Sequence, residues 1–247
     1  MSKDLQGWIN LYKPKNISSF LAIKKIKLRL NINKIGHAGT LDPLAEGILP
    51  IAVGKATKLI PYVSKTNKTY EFTIKWGQQT STDDIEGEII KSSNKIPTKN
   101  EILNKIKLFF GEIEQVPPNA SAVKINGRRA YNLFREKKKF KLKPKKVFVK
   151  KIRLLQYQNK GLSKFEIECG KGFYIRSFAR DLGEKLATTG HISYLKRIKV
   201  GKFEAKNANL LDDLLNIRQR LFEFKGFHSS SCMLDDILAY EIDDEKD

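Results

Sequence analysis

The stretch Gly36–Leu59, GHAGTLDPLAEGILPIAVGKATKL, packs four glycines, one histidine and a single Asp-Pro pair between apolar residues. Glycine at that density marks backbone that turns tightly or comes close to another group. Pro43 pushes Asp42 out of the helical region toward an extended conformation. The carboxylate is therefore carried on a stiff loop beside Leu41, Leu44, Ile48 and Leu49. An acid held this way can act as a nucleophile or as a general acid or base. The same dipeptide is also a helix N-cap with proline at the first helical position, contributing about 1 kcal/mol without any chemistry. Spacing alone leaves both readings open. Phosphate loops fit poorly: Leu49 and Ala56 stand where a P-loop around Gly54-Lys55 needs Gly and Ser/Thr, and Gly36–Leu41 lacks the dinucleotide fingerprint.

Composition narrows the partner. The 247 residues are 40% hydrophobic and 30% charged, which suits a globular chain with one large domain, or a domain with an appendage. A net charge of +20 favours a polyanion, either nucleic acid or an anionic membrane surface. No run approaches the roughly 18 apolar residues of a membrane span, and MSKDLQGWIN lacks a signal-peptide core. Cys169 and Cys232 lie far apart, and His37, His191 and His228 share no ligand spacing. The expectation is a cytoplasmic protein with no metal.

Outward from the central stretch, Gly7–Leu11 reads as a strand closed by a Lys13-Pro14-Lys15-Asn16 turn. Ser18-Ser19 can cap a helix whose Phe20, Ile23, Ile26 and Leu30 face the core. Thr69–Trp76 alternates as a strand with Tyr70, Phe72 and Ile74 on one face, where Tyr70 alone reads as a packing aromatic. Gly77–Glu88 is a polar turn. Pro97-Thr98 caps an amphipathic helix, Lys99–Phe110, whose Ile102, Leu103, Ile106 and Phe109 are ordinary packing. Lys146–Tyr157 and Ser163–Cys169 read as strands paired about Gly161. Gly170 and Gly172 then lead into a helix with Ile175, Phe178, Ala179, Leu182 and Leu186 buried. Arg176 opposes the dipole at that helix start, so it pairs with an acid elsewhere.

Ala122–Arg153 carries 14 Lys or Arg against one acid, Glu136, with Tyr131, Phe134, Phe140 and Phe148 threaded through it. Self-repulsion at that density calls for a counter-charged partner, and nucleic acid fits.

These segments together resemble the bacterial tRNA pseudouridine(55) synthase (TruB) family. Gly36 to Lys58 matches every fixed position of G-H-x-G-x-L-D-P-x-A-x-G-x-L-x-x-x-x-G-x-A-T-K. Further matches are the K-P turn (with Asn16 for the usual glycine), K-x-Y at Tyr70, and Gly77 to Gly87. They continue through QVPPNASAVKINGRRAYNL from Gln115, KGFYIRSFARDLG from Lys171 (with Phe173 for the usual Thr), and Tyr194 to Arg197. Some relatives carry aspartate where Ser81 stands.

The resemblance implies an α+β pseudouridine synthase fold: a central, mainly antiparallel sheet flanked by helices, with a basic thumb over about 119–147. It implies a catalytic domain at 1–205, and 206–247 reduced to a helix (Leu210–Phe224) and an acidic tail, too short for the extra RNA-binding PUA domain of longer members. It implies that uridine is isomerised in the T-arm loop of tRNA after base flipping. Asp42 would be the nucleophile and Arg176 its partner. Tyr70 would stack on the flipped base, His37 would contact RNA at the target uridine, and Tyr174 and Leu195 would line the pocket. Lys124, Arg128, Arg129, Lys137, Lys138 and Lys139 are the thumb cations expected on RNA.

No cofactor is needed for this isomerisation, and a monomer with tRNA as its partner, without membrane or protein partner, is expected. The alternatives are a non-catalytic RNA-binding or ribosome-assembly protein, and a two-carboxylate glycosidase using Asp42 and Glu46. The glycosidase has the wrong global charge and lacks a second placed acid.

Overall fold

The structure, a computed structural model, describes residues 6–216 and 227–228. The chain divides into two compact units, Met1–Tyr70 with Lys196–Asp247, and Glu71–Leu195. The strands Lys68–Trp76 and Gly190–Val200 each supply residues to both.

In the first unit, β1 (Gly7–Lys13) runs into a turn in which Asn16 takes φ 63°, the left-handed conformation that asparagine tolerates. Helix α1 (Ser19–Arg29) follows, capped by Ser18, whose side chain accepts from the Leu21 N–H. Strands β2 (Ile35–His37) and β3 (Glu46–Val53) complete the core of the unit, and β3 is buried along almost its whole length. β1 pairs antiparallel with β3, Gly7 opposite Val53 and Lys13 opposite Gly47. A 3-10 turn (Gly54–Leu59) and a short helix α2 (Ile60–Val63) lead into β4 (Lys68–Trp76).

Alternation along β1 and β3 builds two layers. Ile9, Leu11, Leu49, Ile51 and Val53 pack on Ala22, Ile23 and Ile26 of α1. Trp8, Ile48 and Ala52 face the opposite side, with Ala56, Val63 and Phe203. Phe20 does not join the core: it is 74% exposed. The buried stripe of α1 runs through Ser19, Ala22, Ile23 and Ile26, and at about 100° per residue Phe20 falls to its side.

The second unit continues with β5 (Gln78–Thr80), β6 (Ile89–Ser92), α3 (Lys99–Ile106) and β7 (Gly111–Gln115). Thr98 and Glu101 form a reciprocal capping box, and a 3-10 turn at Lys107–Phe109 replaces the last helical turn expected before Gly111. Within this helix Ile102 and Ile106 are buried, whereas Leu103 is 36% exposed. The thumb holds a hairpin, β8 (Lys124–Ile125) and β9 (Arg128–Arg129), and helix α4 (Ala130–Arg135). Asn126 and Gly127 both take positive φ, which a two-residue type I′ hairpin turn requires.

Long antiparallel strands β10 (Lys145–Gln158) and β11 (Leu162–Cys169) follow, then α5 (Ile175–Lys185) and β12 (Gly190–Val200). The order β12-β4-β11-β10-β7 forms the sheet of this unit. Phe178 of α5 packs edge-on against Phe72, Phe109 and Phe165. Phe173, the bulky residue where the resembled family has threonine, tilts against Phe178 at 6.2 Å and is buried there.

The chain returns to the first unit. The end of β12 runs parallel to β3, Lys196 opposite Glu46 and Arg197 opposite Gly47. β13 (Phe203–Glu204), β14 (Asn209–Leu210), α6 (Leu211–Asn216) and β15 (Phe227–His228) follow, with β14 and β15 both paired to β1. The helix expected over Leu210–Phe224 is seen as α6 for its first part; the remainder lies outside the described residues. The outcome is the mixed α/β architecture expected from the sequence, a mainly antiparallel sheet with helices. Among the described residues no helix is long and apolar enough to cross a membrane.

Candidate active site

One edge of β3 is shared. β2 pairs with its C-terminal half, His37 opposite Ile51, and β12 pairs with its start. The segment between β2 and β3 buckles out at this break and carries Asp42. The Ala45 N–H donates to the Asp42 carbonyl at 3.1 Å, so Asp42 opens a tight turn and the helix-cap reading is set aside.

Three anchors hold the turn, all from the first unit. Ser19 Oγ donates to the Leu41 carbonyl at 2.8 Å and accepts from the Leu41 N–H at 2.9 Å. The buried Lys13 ammonium donates to the carbonyls of Pro14 and Ile17 at 2.8 Å, and to that of Pro43 at 3.4 Å. Arg197, 1% exposed, donates from Nε to Ile48 O at 2.7 Å and from Nη2 to Gly39 O at 3.0 Å.

Glycine is obligatory at one point here: Gly47 has φ 113°, and a Cβ on it would lie 2.2 Å from the Arg197 carbonyl oxygen.

The electrostatics follow from burial. Burial pulls the Lys13 amine down to about 8; the Asp42 and Glu46 carboxylates oppose this and the Arg197 guanidinium reinforces it. Burial, then Arg197, also lowers the pKa of His37, favouring a neutral imidazole. Tyr70 lies on the buried face of β4 and is 9% exposed, with Phe72 and Ile74 two and four residues on.

In the second unit Arg176 sits in the first turn of α5 and is 5% exposed. Its guanidinium meets Asp84 Oδ2 at 3.4 Å and donates to the carbonyls of Thr82 at 3.2 Å and Ala120 at 3.1 Å. An acid partner for this helix-start cation was expected, and Asp84 of the polar turn is one. Tyr174, immediately before α5, is gripped by a residue that sequence reasoning passed over. Gln115 Nε2 donates to the Tyr174 carbonyl at 3.2 Å, and its Oε1 accepts from the Tyr174 N–H at 2.8 Å. The Q-x-P-P start of the thumb was the available signal. Leu195 is buried in β12.

On the thumb, Lys124, Arg128, Arg129, Lys137, Lys138 and Lys139 are all exposed. Its one acid, Glu136, takes Arg128 and, at 3.0 Å, Lys138. Lys138 above all, with Arg128, holds the Glu136 carboxyl below the usual range. Two guanidinium groups lie over the Tyr131 ring, Arg129 at 6.0 Å and Arg135 at 5.7 Å from its centre.

Residues 27–175 match the TruB family pseudouridylate synthase N-terminal domain, and residues 176–239 match the tRNA pseudouridylate synthase B C-terminal domain. The chain belongs to the TruB family of pseudouridylate synthases.

Curated relatives agree. The chain is 49% identical over 85% of its length to tRNA pseudouridine synthase B of Ehrlichia ruminantium (strain Gardel), covering 71% of that protein. It is 49% identical over 86% of its length to the Bartonella tribocorum protein of the same name, covering 66% of it. With the Caulobacter sp. (strain K31) protein of that name it shares 42% over 98%, covering 78%. Among solved structures, a Cbf5-Nop10-Gar1 complex contains a chain that superposes with TM-score 0.72 and 27% identity, over 93% of this chain and 62% of that one. An H/ACA ribonucleoprotein bound to a substrate RNA containing 2′-deoxyuridine matches in fold, with TM-score 0.70 at 24% identity, over 93% of this chain and 61% of that one.

Proposed function

We propose that this chain isomerises uridine to pseudouridine in tRNA, at position 55 of the T-arm loop, with Asp42 as the acting carboxylate. The observation that carries the reading is the Asp42 turn itself. Hydrogen bonds from Ser19, Lys13 and Arg197 to Leu41, Pro43 and Gly39 fix the backbone on both sides of it. A carboxylate on such a turn is held ready and loses little freedom on meeting substrate.

The reaction breaks the N1–C1′ bond, turns the base, forms a C5–C1′ bond and releases the C5 proton while N1 regains one. Atoms and electrons balance without a carrier. The target base must first leave the T-loop stack, at a cost of a few kcal/mol. Phosphate contacts from the thumb supply that energy. Asp42 then acts on the ribose, either by attack or by assisting deprotonation of the sugar. Arg176 partners that carboxylate, Tyr70 stacks on the flipped base and manages the C5 proton, and Tyr174 and Leu195 line the uridine pocket. His37, kept neutral by its surroundings, can donate or accept a hydrogen bond at the target nucleotide. The enzyme works in the cytoplasm as a monomer.

Tritium release from a T-arm minihelix labelled at uridine C5 tests this. Wild-type protein releases tritium; Asp42→Asn binds the RNA and releases none. Release by Asp42→Asn at the wild-type rate, or none from wild-type, rejects the proposal.

A further inference from the structure

From Leu5 to Leu41 the chain carries seven Lys or Arg and no acid. Four of these cations lie on α1, whose inner face is buried against β1, β3 and α6. Its outer face shows Lys24, Lys25 and Lys27, together with Phe20 and Leu28, which are 74% and 72% exposed. None of the three lysines has an acidic partner among the described residues. A large aromatic ring left in solvent on the same helix as unneutralised cations is the pattern of a single-strand binding surface, where rings stack on bases and cations track phosphates.

The placement adds a second argument. Ser19, adjacent to Phe20, bonds Leu41 through both its donor and its acceptor, and Leu41 adjoins Asp42. The exposed face therefore begins beside the acid turn and leads away from it along 11 residues, about 16 Å. That length runs beside about five nucleotides stacked at ~3.4 Å.

We propose that the outer face of α1 is a second RNA-binding surface, separate from the thumb. Phe20 stacks on an unpaired base flanking the target uridine, and Lys24, Lys25 and Lys27 hold the phosphates that follow. The proposal rests on the RNA-modifying function above and names a further contact made by the same substrate.

Binding of a fluorescent T-arm minihelix, titrated at several salt concentrations, tests it. Lys24→Gln/Lys25→Gln/Lys27→Gln is expected to weaken binding at least tenfold and to flatten the salt slope by about 2, since each phosphate contact contributes ~0.7–0.9. Lys91→Gln/Lys99→Gln/Lys160→Gln removes the same charge from exposed positions outside α1 and is expected to lose less than about twofold. Phe20→Ala, which alters no charge, is expected to lose about fivefold or more, the low end for a stacked base. Equal losses in the two triple variants, or wild-type affinity in both the α1 triple variant and Phe20→Ala, overturn the surface. Pseudouridine formation on the same RNA separates the two proposals: a wild-type chain that forms none while these affinity differences hold rejects the function and leaves the surface standing.

Discussion

The guanidinium of Arg197 reaches the carbonyl oxygen of Gly39 at 3.0 Å, binding the end of β12 to the loop that carries Asp42. The same side chain donates to Ile48 on β3 at 2.7 Å, so one fork closes the break where β3 changes partner. Arg197→Met strips buried carbonyls of a charged donor, which costs about 2–4 kcal/mol in unfolding free energy. Turnover at saturating RNA should fall more than tenfold, because the turn loses its anchor. Arg197→Lys keeps the charge without the fork and should fall between the two. Urea unfolding and single-turnover pseudouridine formation check this. A stable Arg197→Met protein with wild-type turnover would contradict it.

Gly47 and Gly111 make a paired test of backbone strain. Both take positive φ, 113° and 76°, but a Cβ on Gly47 meets the Arg197 carbonyl at 2.2 Å whereas one on Gly111 meets nothing within 4 Å. Gly111→Ala should cost about 1–2 kcal/mol, the left-handed penalty alone. Gly47→Ala adds backbone overlap within a buried sheet and should cost more than about 4 kcal/mol. Denaturation midpoints of the two variants compare them directly, and similar losses would refute the close approach.

Gln115 grips the backbone of Tyr174 with its amide, one bond in each direction. Gln115→Leu leaves the Tyr174 N–H and carbonyl without these partners, a loss of about 2–4 kcal/mol. Gln115→Glu keeps the acceptor and loses the donor, and should lose about half as much. If Tyr174 lines the uridine pocket, KM for T-arm RNA should rise in the same order. Thermal melting with steady-state kinetics measures both. An unshifted KM in Gln115→Leu would remove Tyr174 from the pocket.

Local chemistry was legible where it depends on neighbours in sequence. Asp-Pro between glycines left a loop and a helix cap both open, whereas Asn16 marked a left-handed turn and Thr98 the capped helix. Alternation placed Tyr70, Phe72 and Ile74 on one face. Asn126-Gly127 carries a plain hairpin signal. Arg197 and Lys13 as buried anchors were not legible. Arg197 is buried by carbonyls of distant segments, Ile48 lying 149 positions away, and Lys13 by Pro43 together with its neighbours Pro14 and Ile17. Spacing puts Phe20 on the core side because it identifies an apolar stripe only to within about one residue in rotation, and Ala22 and Ile23 define that stripe.

Lys13 sets a pH dependence whose sign is fixed by its environment. Its amine is lowered from 10.5 to about 8 on folding, chiefly by burial. Below pH 8 it is charged in both states, and the folded state bears the full desolvation cost. Between pH 8 and 10.5 the folded chain gives up this proton while the unfolded chain keeps it, so stability from this group rises with pH; above 10.5 the gain is complete. The gain is on the order of 3 kcal/mol, reduced if neighbouring groups relax. Lys13→Met removes this group and leaves the other titrations in place. The stability difference between wild type and Lys13→Met should therefore shift in favour of wild type across that interval, read from urea midpoints at pH 7.5, 9 and 10.5. A constant difference would mean that the amine keeps its ordinary pKa, and that the carbonyls and carboxylates around it offset its burial in full.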